Sequence, residues 1–201
     1  MGAFEKVPGT PPNTTITGGP TGRVRSTSAT FSFTSSAAGS RFECRRDGGP
    51  WGACTSSKTY SGLTQGSHSF DVAASNAAGD RDPTPARRTW IVDTVAPRVV
   101  ALSPANGATG VPPSANVLAT FSEAMRPSTI TGSTFRLVRH GTTSPLAATV
   151  TYDAAGRRAK LDPSSPIRRG ALYRATVTTG VRDLAGNPMS TSRTWSFRIR
   201  P

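Results

Sequence analysis

Regular apolar spacing in this chain recurs at every second residue, and no other feature constrains the fold as tightly. In "ATFSF" the side chains of Ala29, Phe31 and Phe33 point one way; Phe70, Val72 and Ala74 do so in "SFDVAA", and Trp90 and Val92 in "RTWIV". The second half repeats the pattern with Val117, Ala119 and Phe121, with Val150 and Tyr152, with Tyr173, Ala175 and Val177, and with Trp195, Phe197 and Ile199. Helical spacing fails throughout, because no window keeps apolar residues at i, i+3, i+4 and i+7 without a Gly, Pro or β-branched interruption. Gly 20 and Pro 17 are scattered between short Thr, Ser and Val runs, a composition that suits many short strands joined by turns. The expected fold class is all-β.

A chain of 201 residues is too long for one sandwich of about 100 residues and fits two. The boundary falls in "VDTVAPRVV", where Asp93, Thr94 and Pro97 end one strand and Val99 and Val100 begin another. We therefore expect two β-sandwiches in tandem, residues 1–95 and 96–201, joined by a short linker and strung end to end. The first ten or so residues, "MGAFEKVPGT", are expected to be disordered. No apolar run approaches the roughly 18 to 20 residues of a membrane helix, and the start lacks the apolar core of a secretory signal. Membrane insertion is not expected. Either export information lies elsewhere in a longer protein of which this chain is a fragment, or the protein stays in the cytoplasm.

The two cysteines, Cys44 and Cys54, lie in "FECRRDGGPWGAC". Cys44 shares a strand face with Phe42, and the chain then turns through Asp47, Gly48, Gly49 and Pro50 before returning past Trp51, which reads as a hairpin. Zinc would need four ligands, while His68 and His140 fall in different halves; a thioredoxin-like pair needs two intervening residues. What remains is a structural disulfide or two reduced thiols packed as small hydrophobes.

Residues 27–97 resemble a bacterial Ig-like repeat module found in actinobacterial secreted and surface proteins. The likeness is carried by the "FEC" strand, the Asp-Gly-Gly turn with its aromatic, the second Cys, "GSH" and "DPTPA", in that order. It implies an extracellular setting and a disulfide between Cys44 and Cys54. Residues 99–199 are similar to the SbsA-type Ig-like domain of S-layer and cell-wall proteins through "SPANGATGVPPSANVLATFSEAMRPSTI", "LDPSSPIRRGALYRATVTTGVRDLAGNP" and "TWSFRI". After "SEAM" that family usually has an acidic residue, and Arg126 stands here instead, which weakens any cation site at this turn. The resemblance implies a spacer or adhesion module and brings no catalytic motif.

The fold does not explain the charge. The formal net charge is +13, and residues 96–201 carry 14 Lys+Arg against 4 Asp+Glu. Arg136, Arg158, Lys160, Arg174 and Arg198 all fall on outward strand positions, making them candidates for contacting phosphate, sulfate or carboxylate groups. The plainer reading is a solvated face, since no aromatic is interleaved with the arginines and only Lys6, Lys58 and Lys160 are lysine.

A catalytic site needs a base beside a nucleophile, and neither His68 nor His140 has an assembled partner in the sequence. No catalytic residue and no cofactor is expected. Calcium wants six or more oxygens. Asn76, Asp80 and Asp82 in "NAAGDRDPTP" are weak candidates, as are Asp183 and Asn187 in "VRDLAGNP"; Arg81 and Arg182 beside them favour Asx turns.

Three readings follow. The leading one is a noncatalytic spacer or adhesion module of an exported or cell-surface protein, whose partners are its neighbouring domains and which is itself monomeric. The alternative is a surface module whose basic second half binds an anionic polymer such as teichoic acid, acidic polysaccharide or DNA. A sugar-recognising accessory domain would need an exposed aromatic platform, for which Trp51 is the single candidate, and Trp51 reads better as a cover over the cysteines.

Overall fold

The computed structural model describes residues 9–201. The expected disorder of the first ten residues therefore falls mostly outside the described residues. Gly9 and Thr10 are both held, the Gly9 amide donating to Asp80 Oδ2 at 3.1 Å and the Thr10 carbonyl accepting from Asn76 Nδ2 at 3.3 Å. The chain divides into two compact units, Met1–Thr94 and Val95–Pro201.

Unit 1 contains β1 (Thr14–Gly18), β2 (Gly22–Val24), β3 (Ala29–Ser35), β4 (Arg41–Arg46), β5 (Gly52–Cys54), β6 (Lys58–Tyr60), β7 (Gly66–Ser75) and β8 (Ala86–Val92). One sheet runs β1-β3-β6 and the other β2-β8-β7-β4-β5; all pairs are antiparallel except β2 with β8. The alternating apolar residues of β3, β7 and β8 meet between the sheets. Phe31 stacks on Phe70 at 4.2 Å between ring centroids and lies 5.0 Å from Trp90, and all three are buried. Alternation does not describe β7 completely, because Asp71 and Ala73 on its other side are buried too. As the central strand of five, β7 has Arg45 and Arg87 of its neighbours closing over Asp71.

Unit 2 contains β9 (Val99–Ser103), β10 (Val117–Phe121), β11 (Phe135–Arg139), β12 (Ala148–Asp153), β13 (Arg158–Pro163), β14 (Leu172–Val177) and β15 (Arg193–Arg198). A four-stranded sheet, β12-β13-β10-β9, and a three-stranded sheet, β11-β14-β15, are antiparallel throughout. Their inner faces share one core. Phe121 and Leu161 come from the first sheet, and Phe135, Tyr173, Trp195 and Phe197 from the second, with Val150 and Tyr152 packed at its edge. The β12–β13 turn is set by Asp153, whose carboxylate accepts from the amides of Ala155 and Gly156 at 3.1 and 3.2 Å. Among the described residues, no helix is long and apolar enough to cross a membrane.

Candidate functional site

The cysteine hairpin comes first. β4 and β5 pair Glu43 with Ala53, and the connection turns at Asp47 and Gly48, both in the left-handed region with φ of 52° and 72°. Cys44 and Cys54 form a disulfide with their Cα atoms 5.9 Å apart, Cys44 being buried in the core. The second alternative left open by the sequence, two reduced thiols, is not the one adopted.

The turn residue Asp47 also reaches His68. β4 pairs with β7 up to Arg46 opposite Phe70, which brings Asp47 beside Ser69 and His68. Asp47 Oδ1 accepts from the Ser69 amide at 2.7 Å, and Asp47 Oδ2 lies 2.9 Å from His68 Nδ1. His68 Nε2 lies 2.8 Å from the Thr64 carbonyl oxygen. Burial pushes the His68 pKa down, but these two acceptors outweigh it and hold the group above its ordinary 6.5. For Asp47 burial acts upward and the bonds from His68 and Ser69 prevail, holding the carboxyl below 3.8. An open groove of about 710 Å³ runs past Asp47, Ser67, His68, Arg87 and Thr89, yet both ring nitrogens of His68 already have structural partners. Among the described residues, no Ser or Thr hydroxyl hydrogen-bonds either histidine.

Trp51 has the guanidinium groups of Arg45 and Arg81 over its ring, at 4.6 and 4.3 Å from the centroid. Arg81 also pairs with Glu43 at 3.1 Å, and Arg45 with the buried Asp71 at 2.8 Å. The indole thus belongs to a ladder of ion pairs across the outside of the five-stranded sheet. It is absent from the residues packed on the core.

The calcium candidates are engaged in local hydrogen bonds. Asp80 Oδ2 accepts from Asn76 Nδ2 at 3.0 Å, and Asn76 Oδ1 accepts from the Asp80 amide. Asp82 accepts from the amides of Thr14 and Thr84, both at 2.8 Å. Its burial raises the carboxyl pKa, but the Thr14 and Thr84 bonds outweigh that and leave it below 3.8. In the second loop Asp183 accepts from the Gly186 and Asn187 amides and from Asn187 Nδ2, at 2.7 to 2.8 Å. Arg126, in the place of an acidic residue, donates to the Leu184 carbonyl at 3.3 Å.

The five basic candidates separate onto two sheets. Arg158 and Lys160 lie on β13 and face Asp153 and Asp162, at 3.9 and 3.1 Å. Arg136, Arg174 and Arg198 lie on β11, β14 and β15, exposed, where no strand carries an acidic residue. Strand order decides this grouping, since β13 pairs with β10 and β12 and never with β14.

These sheets and turns define an all-β chain with immunoglobulin-type layers. The chain belongs to the bacterial Ig-like domain family, whose sequence pattern matches residues 93–199, more than half of its length. Among solved structures it is similar to the N-terminal part of the bacterial S-layer protein SbsC, at 20% identity over 53% of this chain and 24% of that one, with a TM-score of 0.41. It is also similar to fibronectin(III)-like modules of Clostridium thermocellum CbhA, at 16% identity over 94% of each chain and a TM-score of 0.46. A third likeness is to Bacteroides ovatus SGBP-B of a mixed-linkage glucan utilization locus, in complex with a mixed-linkage heptasaccharide, at 13% identity, 95% and 48% coverage and a TM-score of 0.33. The chain spans about a quarter or less of the SbsC chains that it matches. No curated protein matches it.

Proposed function

We propose that the chain is a noncatalytic structural module of an exported or cell-surface bacterial protein, a spacer or adhesion segment made of two Ig-like sandwiches, residues 1–95 and 96–201. The observation that carries this reading is that its reactive-looking groups are built into the framework. Cys44 and Cys54 close a hairpin, and His68 joins that hairpin's turn to β7. The family assignment and the disulfide, a bond that persists in oxidising compartments, both support a location outside the cytoplasm. Protease shaving of intact cells tests it: fragments of this chain are expected in the supernatant with Cys44 and Cys54 oxidised. Recovery only from the cytosol, with both thiols titratable, overturns it.

A second reading is favoured by one specific observation. Arg136, Arg139, Arg174, Arg193 and Arg198 of the second unit lie on the strands of a sheet without acids, which supports docking onto an anionic polymer. Binding to inorganic polyphosphate should then fall steeply with added salt. Absence of binding at physiological ionic strength leaves the structural reading alone.

A further inference from the structure

We infer that the outer face of β11, β14 and β15 is a docking track for a linear phosphodiester polymer of the polyol-phosphate type, laid along Arg136, Arg174 and Arg198. This rests on the anionic-polymer reading above and specifies its site and ligand class.

The register of the sheet places these three arginines in line. Arg136 sits opposite Thr176, Arg174 opposite Ser196, and Arg198 opposite Leu172. From one strand to the next the position therefore shifts by two residues in the same sense, so the arginines form a straight diagonal. Each step between such diagonal neighbours is about 7–8 Å. All three are exposed, and among the described residues none makes an ion pair. Arg198 is oriented by donating one guanidinium N–H to the Gly170 carbonyl at 3.0 Å, which leaves its other N–H groups for a ligand.

The strands β11, β14 and β15 hold Arg136, Arg139, Arg174, Arg193 and Arg198 and no Asp or Glu. On the four-stranded sheet, by contrast, Arg158 and Lys160 each have a carboxylate partner. Positive charge on the three-stranded sheet is thus uncompensated, and an approaching anion meets no repulsive group on these strands.

The flanks of the diagonal narrow the ligand class. On one side lie the hydroxyls of Thr176, Thr194 and Ser196, the first two within 3.2 Å of each other; on the other lie Val138 and Leu172. Guanidinium groups bind phosphate oxygens bidentately, and hydroxyls beside them donate to the remaining oxygens. The aromatic residues of these strands, Phe135, Tyr173, Trp195 and Phe197, all point into the core. No ring is left outside for a nucleobase to stack on, which disfavours single-stranded nucleic acid, and none for a pyranose face. A chain of phosphates joined by short acyclic polyols needs neither and can lie flat on the sheet, its carbons against Val138 and Leu172.

The test is binding of the full chain to immobilised poly(glycerol phosphate) over a salt series, with single-stranded DNA and a sulfated polysaccharide as comparison polymers. The variant Arg136→Gln/Arg174→Gln/Arg198→Gln is measured beside Arg98→Gln/Arg158→Gln/Lys160→Gln, which removes the same charge elsewhere in unit 2. Melting curves confirm that both fold. The diagonal variant should lose at least about tenfold in affinity and flatten the log–log salt slope by about 2; the other variant should stay within about threefold. Equal loss in both variants overturns the track and leaves general polyanion binding standing. Equal or tighter binding of DNA or the sulfated polysaccharide overturns the ligand class. No binding by the unsubstituted chain at physiological salt removes the anionic-polymer reading together with the track.

Discussion

His68 Nδ1 lies 2.9 Å from Asp47 Oδ2, tying the first residue of the cysteine hairpin's turn to the start of β7. The other ring nitrogen faces the Thr64 carbonyl, so both positions call for a donor and the imidazolium is the form that satisfies both. Arg46, which pairs with Asp47 at 3.3 Å, opposes that charge only in part, and the Trp90 ring packs 5.5 Å from the imidazole.

A pH profile follows with a definite sign. The raised His68 pKa means that its contribution to unit 1 is fully present below about 6.5 and is lost as pH rises through the folded value. Asp47 and Asp82, held below 3.8, contribute above that value and lose their contribution as pH falls through their folded values. Unit 1 should therefore melt highest between about pH 4 and 6.5. His68→Gln should flatten the alkaline side and also shrink the part of the acid side that Asp47 carries, since His68 helps hold that carboxyl down, while the part carried by Asp82 stays. Thermal melts from pH 3 to 9 on both proteins check this, and an unchanged alkaline slope in the variant counts against the His68 assignment.

Reduction of the disulfide should act on one unit alone. The Cys44–Cys54 bond closes a loop with a sequence separation of 10, for which the chain-entropy model gives about 2–3 kcal/mol. Denaturant unfolding with and without reductant should show the unit 1 transition moving to lower denaturant and the unit 2 transition staying where it was. Movement of both transitions together would mean that the units do not unfold independently.

Much of the fold is legible in alternation because each sheet buries one face. Phe31, Phe70, Trp90, Phe121, Trp195 and Phe197 occupy the core as their spacing requires. The hidden outer face of β7 is not legible, since the burial of Asp71 comes from Arg45 and Arg87, arginines of strands distant in sequence. The candidate sites depend still more on pairing. Nothing local in "GSHSF" points to Asp47, 21 residues away, as the partner of His68. Outward positions identify the basic residues, but the β11-β14-β15 order decides which of them share a face. Trp51 was legible only as an aromatic in a turn. That Arg81 lies over it follows from where the chain returns after β7.

Trp51 as a member of the ion-pair ladder predicts a structural phenotype. Trp51→Ala removes two cation–π contacts, each worth about 0.5–1 kcal/mol at an exposed site, so unit 1 should lose about 1–2 kcal/mol. Trp51→Phe should recover part of that loss, because a benzene face still attracts the guanidinium groups of Arg45 and Arg81. Chemical denaturation of the two variants separates the cases, and a Trp51→Ala protein as stable as the parent would remove the indole from the ladder.

Trp195 carries the corresponding prediction for unit 2, and its indole nitrogen makes the outcome graded. The side chain is 2% exposed, packs 5.9 Å from the Phe135 ring, and its Nε1 has no hydrogen-bond partner. Trp195→Ala leaves a cavity between the sheets and should cost about 3–5 kcal/mol. Trp195→Phe loses part of the ring but also deletes a buried donor whose desolvation costs about 1–3 kcal/mol, so the two effects oppose each other. The Phe variant should therefore lie much nearer the parent than the Ala variant. Denaturant midpoints, with protease resistance as a second readout, check the order, and equal losses in the two variants would show that the unpartnered N–H costs unit 2 little.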